Sequence, residues 1–395
     1  EPATQPERLE FRAGVSQLLD ILVHSVYTAK DIFIRELISN AADALEKARF
    51  LEVQGGPLHL AEGEPRVEIE TGESGGRKYL SITDNGIGMT ADEVRDNIGT
   101  IAHSGARAFL EQMQQEGGHG VDLIGRFGIG FYSVFMVAEE VVLTTRSAQP
   151  DQPAVEWRSD GRETYQIRLL DEERPRGTEI RVSLRSEEER FADPQVVSEA
   201  IERYSRFVPF PVKVEGEQKN RTRALWREPA SQVSGEEYAE FYRYVAQDTT
   251  DPLLHMHVSA DAPIQYSALL FVPQTNPEVL GFGQGEVAVQ LYVKRVLIDA
   301  ESKDLLPKFL RFARGVVDCE DLPLNISRES LQENAVIRKV RDGLTRKLLD
   351  RLQELARDDR ATYEQFWRSF GRILKEGYDE FRWHEKLSDL LLFNS

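Results

Sequence analysis

Cysteine is almost missing: Cys319 is the single one in 395 residues, so no disulfide can form within the chain. That scarcity fits a reducing compartment. No uninterrupted apolar stretch approaches the ~18–20 residues that a membrane-spanning helix needs. Positive charge is in deficit, with 49 Lys and Arg against 67 Asp and Glu and a formal net charge of −18. A balance this acidic argues against a protein that wraps nucleic acid or lies on an anionic membrane. There is no internal repeat, no low-complexity tract and no Walker pattern with its Lys-Ser/Thr. The first residues, EPATQPE, are polar, start at Glu1 rather than Met and carry no apolar signal core. They read as a processed or trimmed start without a secretion signal.

What is present suffices for folded cores. Hydrophobic residues make up 41% and aromatics 9%, which excludes global disorder. The length exceeds the roughly 250–300 residues at which a single core stops growing, so two or three domains are expected. Val15, Leu18, Leu19, Leu22 and Val26 follow helical spacing. A second helix is predicted from Asp31 to Phe50, with Ile32, Phe33, Leu37, Ile38, Ala41, Ala42 and Leu45 as its apolar set. Val67 and Ile69, Leu80 and Ile82, and Ile180, Val182 and Leu184 alternate as half-buried strands do. Helices first and strands later predict a helix-covered, largely antiparallel α/β sandwich rather than a doubly wound parallel sheet. The polar, mixed-charge segment Val212 to Trp226 reads as a domain boundary. Beyond it, Ser267 to Pro273 and Glu286 to Ile298 carry strand patterns. From Ala335 a long helix has Ile337, Val340, Leu344, Leu348, Leu352 and Leu355 on one stripe and a solvated Arg/Lys face.

Three constellations carry chemistry. Glu36, Asn40 and Asp43, at i, i+4 and i+7, share one helix face. They form either a solvent stripe or a pocket wall, where a carboxylate polarises water and an amide oxygen ligates a hard cation such as Mg²⁺. The segment ITDNGIGM places Asp84 at a strand end, with Gly86 and Gly88 allowing close backbone approach. An ionised Asp only accepts hydrogen bonds, so it suits an exocyclic amine such as that of adenine; a plain Asp-Asn-Gly hairpin turn is the alternative. Finally GRFGIGFYS sets Gly125, Gly128 and Gly130 before an apolar helical run to Ala138, which is either a phosphate cradle or a packing turn. The Gly-punctuated stretch between these motifs, about residues 99–130, could hinge as a lid or be a loose surface loop.

The order of these motifs resembles the ATP-binding fold shared by type II topoisomerases, MutL mismatch-repair proteins, histidine kinases and ninety-kilodalton heat-shock chaperones. IFIRELISNAADALEK, DNGIGMT, NIGTIAHSGARAF and GRFGIGFYSVFMVA resemble the chaperone family, in its bacterial and mitochondrial branch, and DLPLNISRESLQEN resembles the catalytic loop of that family's middle domain. The resemblance covers essentially the whole chain. It implies an N-terminal ATP-binding α/β sandwich over residues 1–215, with a lid at about 99–130, and an α/β middle domain over 216–395. It further implies that the family's C-terminal dimerisation domain is missing after Ser395.

By the same resemblance the chain is a Mg²⁺-dependent ATPase, hydrolysing ATP to ADP and phosphate in a chaperone cycle of lid closure and docking of the N-terminal on the middle domain. Glu36 would activate or orient the attacking water, and Asn40 would ligate Mg²⁺. Asp84 would accept from the adenine amine, with Gly88 and Thr178 helping through water or backbone contacts, and Met89 would line the adenine pocket. Asn97 and the backbone at Phe131, beside the glycines Gly128 and Gly130, would meet ribose and phosphates. Asp43 is as readily structural. Arg35 is either a surface charge or a guanidinium that holds Glu36 away from water until the site closes. Ser327 as an N-cap would put Arg328 in a helix first turn, where the dipole disfavours a cation unless an anion lies nearby. The family reading makes that anion the γ-phosphate, with Gln332 supporting Arg328; a salt bridge to Glu329 is the alternative.

Two departures stand out. His103 takes a lid position where relatives carry Lys or Arg, so its charge depends on pH, and Ala42 replaces a small polar residue beside the Asn. Client proteins are the expected partners, with Trp226 either an exposed aromatic contact for them or, as is more frequent for this residue, part of a buried core, and the full-length protein is expected to be a homodimer. No nucleic acid or membrane partner is expected. The bacterial branch implies the cytoplasm, the mitochondrial one the matrix.

Overall fold

The computed structural model describes residues 6–11, 30–55, 63–98, 130–162, 164–276, 288–322 and 334–392. The chain divides into two compact units, Glu1–Thr222 and Arg223–Ser395. Among the described residues no helix is long and apolar enough to cross a membrane.

The first unit is organised by helix α1 (Ile32–Gln54), which buries Phe33, Leu37, Ile38, Ala41 and Leu45 on one side. It runs past the expected end at Phe50 and stops at Gly55, whose φ of 71° supplies a left-handed cap. Its start is pinned by ion pairs, Lys30 to Glu188 at 2.5 Å and Arg203 to Asp31 at 3.1 Å, and by an edge-on contact of Phe33 with Phe191. The strands are β1 (Glu7–Glu10), β2 (Val67–Ser74), β3 (Arg77–Asp84), β4 (Ala138–Arg146), β5 (Ala154–Ser159), β6 (Thr164–Leu170), β7 (Gly177–Leu184), β8 (Val212–Val214) and β9 (Glu217–Gln218). They form one sheet in the order β1-β6-β5-β4-β7-β3-β2-β8-β9. All neighbours are antiparallel except β2 and β8, which run parallel with Val67 opposite Val212. The alternating residues Val67, Ile69, Leu80, Ile82, Val182 and Leu184 are buried. The other helices among the described residues of this unit are α2 (Ala91–Asn97), α3 (Pro194–Tyr204) and two 3-10 helices, Gly130–Met136 and Ser186–Ala192. The apolar run expected to be helical as far as Ala138 is therefore a short 3-10 turn, because Ala138 already enters β4. The boundary expected after residue 215 falls inside the β8–β9 hairpin, and the unit runs on to Thr222.

The second unit has a five-stranded sheet in the order β10-β11-β14-β12-β13. Its strands are β10 (Leu254–Ala260), β11 (Tyr266–Val272), β12 (Ala288–Val293), β13 (Val296–Ser302) and β14 (Arg314–Cys319). Strands β12 and β13 form a hairpin, folded back at Lys294 and Arg295, whose φ angles are 49° and 66°. One sheet face, with Ala268, Leu270, Leu291 and Val317, packs on the long helix α5 (Ala335–Asp358) and on α6 (Arg360–Lys375) and α7 (His384–Ser388). The other face meets helix α4 (Gly235–Ala246), where Phe271 lies beside Phe241 and Tyr242. Burial on both faces explains why β11 reads as a continuous apolar run. Asn334 caps α5, accepting from the backbone N–H of Val336 at 2.8 Å.

Candidate nucleotide site

Asp84 ends β3 and is buried, paired in register with Val67 of β2 on one side and Thr178 of β7 on the other. Its Oδ1 accepts the backbone N–H of Gly86 at 2.8 Å. Burial pushes its carboxyl up to about 7, against the pull of hydrogen bonds from the Gly86 and Thr178 backbone. The turn that follows is fixed on both sides. Ile87 donates its N–H to the Ala44 carbonyl of α1 at 3.1 Å and accepts from Ala148 N at 2.7 Å. Gly88 has a φ of 61°, and a Cβ there would lie 1.8 Å from the Arg146 carbonyl oxygen, so only glycine fits. Asn85 faces away: it accepts from Arg66 N at 2.9 Å and donates to the Glu64 carbonyl at 2.8 Å, a structural role. The turn is therefore more than a hairpin turn, since it presents a buried acceptor beneath α1.

Glu36 and Asp43 are half-buried on α1 and Asn40 between them is exposed. Arg35 is not a surface charge. It is buried, its Nε and Nη2 both donate to Glu36 Oε1 at 2.9 and 2.5 Å, and its guanidinium lies 5.9 Å over the Tyr204 ring. The other carboxylate oxygen, Oε2, borders Gly130, whose hypothetical Cβ would sit 2.2 Å from it. Along α1, Glu36 and Ala44 are eight residues apart, about 12 Å of helix rise. One helix thus spaces a carboxylate that could position water from a turn that could hold a base.

Met89 is half-buried, and its backbone N–H is held by Thr145 Oγ1 at 3.0 Å. Thr178 is buried in β7, with its hydroxyl 3.0 Å from that of Thr145. Phe131 is half-buried, with its ring edge-on to Trp157. Asn97 is the exposed last residue of α2, a helix started by the reciprocal Thr90–Glu93 capping box. The structure thus brings Glu36 to Gly130, and Asp84, Thr178, Gly88 and Met89 to one end of β3, β4 and β7. It leaves Asn97 on the surface. Gly128, His103, Arg328 and Gln332 lie outside the described residues. Thr145 escaped the reading of the sequence, because a threonine within a β-strand carries no motif.

Of the two readings of Trp226, the structure shows the buried one. Its ring is fully buried, packed on Tyr292 and Phe241, and its Nε1 donates to the buried Asp318 carboxylate at 2.8 Å. An indole with its polar edge satisfied inside the core offers no contact for a client.

A largely antiparallel sheet covered by helices, with a buried Asp after one strand and a Glu/Asn helix face above it, defines the first unit as an ATPase-type domain. Residues 27–176 match the family described as Histidine kinase-, DNA gyrase B-, and HSP90-like ATPase, and residues 213–395 match the one described as Hsp90 protein. The chain belongs to the Hsp90 family. It is 46% identical over 394 residues to the chaperone protein HtpG of Desulfitobacterium hafniense, covering 99% of this chain and 64% of the relative. It is 44% identical over 395 residues to the HtpG of Oleidesulfovibrio alaskensis, covering 100% of this chain and 62% of the relative. The HtpG of Chlorobium phaeovibrioides is 43% identical over 394 residues, covering 98% of this chain and 63% of the relative. The chain therefore spans a little under two thirds of the length of these relatives.

Proposed function

We propose that this chain binds and hydrolyses ATP and that the cycle serves an ATP-dependent molecular chaperone of the HtpG type, acting on client proteins. The observation that supports this most is the pairing of a buried acceptor, Asp84, with a carboxylate, Glu36, anchored on the helix that the Asp84 turn touches. Asp84 holds the adenine amine, and Glu36 orients water toward the γ-phosphate through the carboxylate oxygen that Arg35 leaves to the Gly130 side. Arg328 and Gln332 are proposed to stabilise the charge that develops during transfer. Among the described residues no group of three or more His, Cys, Asp or Glu could hold a metal ion. Mg²⁺ binds through few protein ligands and keeps substrate phosphates and water. Asn40, exposed one turn from Glu36, is the residue that would hold it, and the ion would neutralise phosphate charge.

A DNA-transacting ATPase of the same fold class is the rival reading, and the net charge of −18 speaks against its basic DNA surface. A cytoplasmic setting follows the bacterial relatives, with the mitochondrial matrix as the alternative, and the full-length protein is proposed to be a homodimer. Glu36→Ala separates binding from turnover. ADP affinity by calorimetry should stay within about threefold, while phosphate release falls roughly 10²–10⁴-fold, the usual worth of a general base. Hydrolysis at the parent rate would remove Glu36 from the mechanism. The chaperone part is tested by ATP-dependent suppression of aggregation of a denatured protein.

A further inference from the structure

Thr145, Thr178 and Asp84 occupy directly paired positions on three neighbouring strands, β4, β7 and β3, so their side chains form a row on one sheet face. Thr145 is 2% exposed. Its Oγ1 lies 3.0 Å from Met89 N, 3.0 Å from the Gly177 carbonyl oxygen and 3.0 Å from Thr178 Oγ1. A hydroxyl has one proton and two lone pairs. The Met89 N–H can only donate and the Gly177 carbonyl can only accept. Thr145 therefore gives its proton to Gly177 and takes one from Met89. The lone pair that remains can be matched only by a donor, and that donor is the Thr178 hydroxyl. No other proton arrangement satisfies all three contacts.

We propose that Thr145 is a specificity-determining positioning residue, which fixes the Thr178 hydroxyl with its proton turned inward and its lone pairs toward the ligand. The inference rests on the adenine-nucleotide reading of the site and deepens it. Beside Thr178, the ionised Asp84 side chain likewise only accepts. Two neighbouring acceptors in direct contact select a purine edge that donates at position six. A 6-oxo purine presents an acceptor there and meets no donor. The row thus selects 6-amino over 6-oxo purine nucleotides, and Thr145 is what prevents Thr178 from turning round to accommodate the wrong one.

The experiment compares ADP with inosine 5′-diphosphate by titration calorimetry on the full chain. The unaltered chain should favour ADP by ~10²-fold or more, because a site built for one hydrogen-bond pattern leaves its buried groups unmatched by the other. Thr145→Val frees the Thr178 proton to turn, so the preference should fall by ~10-fold, whereas Thr145→Ser should keep it within about threefold. A Thr145→Val protein that folds, binds ADP and keeps the full preference overturns the proposal. If Thr145→Val does not fold, Thr178→Val decides: it removes the oriented acceptor and should also lower the ADP preference by ~10-fold, and an unchanged ratio there overturns the proposal equally. Failure of the unaltered chain to bind ADP would sink the nucleotide reading, while ADP binding with an unresponsive ratio sinks this inference alone.

Discussion

Gly130 and Glu36 approach so closely that a methyl group added to Gly130 would lie 2.2 Å from Glu36 Oε2. The first residue of the 3-10 helix thereby sets where the carboxylate of α1 can be, while Arg35 holds its other oxygen from behind. Gly130→Ala should displace the carboxylate without touching the Asp84 end. ADP affinity should hold within about threefold while hydrolysis falls by ~10²-fold, as misplacement of about 1 Å can cost. Single-turnover hydrolysis at the parent rate would mean that Glu36 has room elsewhere.

Asp84 links both stability and ligand binding to pH. Its pKa is raised from an ordinary 3.8 to about 7 by burial. Between those values the folded chain keeps a proton that the unfolded chain has lost. The stability this group contributes is therefore full below about pH 4 and is lost as pH rises through about 7. Asp84→Asn should flatten that part of the stability–pH curve, measured by urea unfolding at several pH values. An amine donor needs the ionised carboxylate, so ADP should bind roughly tenfold more weakly at pH 6 than at pH 8, a dependence reduced in Asp84→Asn.

Asp318 is buried with the Trp226 indole at 2.8 Å and Arg227 at 2.9 Å. Asp318→Ala leaves the buried Trp226 Nε1–H without its acceptor and takes from the half-buried Arg227 one of two carboxylate partners, Glu320 remaining, and should destabilise the second unit by about 1–3 kcal/mol. Trp226→Phe loses one hydrogen bond to a charged group and should cost about 1.5–3 kcal/mol. Denaturant unfolding followed by circular dichroism measures both. Any effect of Trp226→Phe on aggregation suppression should disappear at a temperature where the variant is fully folded.

Arg328→Ala tests the charge-stabilising role proposed for a residue outside the described segments. ADP affinity should be nearly unchanged and kcat lowered by ~10²-fold or more, the usual cost of removing a transition-state donor. Arg328→Lys should rescue poorly, because an ammonium lacks the planar fork of a guanidinium. Equal loss of ADP binding and hydrolysis would place Arg328 in ground-state structure instead.

Much of the fold and part of the site were legible from local pattern. Helix α1 announces itself because apolar residues at a 3.6-residue period can be buried only on one helix face. The strands around Val67, Leu80 and Val182 do so by alternation, and Asp84 by the glycines that must follow it where backbone meets backbone. Period, spacing and glycine requirements are properties of the chain over a few residues, so the sequence by itself determined these elements, the two-part organisation and the Glu36 and Asp84 candidates. The turn at Lys294–Arg295 has no such signal. Two non-glycine residues at positive φ are held there by the pairing of Val293 with Val296 and of β12 with β14. Likewise only tertiary structure decided that Trp226 is core, because its acceptor Asp318 lies 92 residues away. It also decided that Arg35 is buried against Glu36, and that Thr145 meets Met89 and Thr178 across three segments. Hydrogen-bond direction and burial are set by partners that the chain brings together only on folding, and no local pattern encodes them.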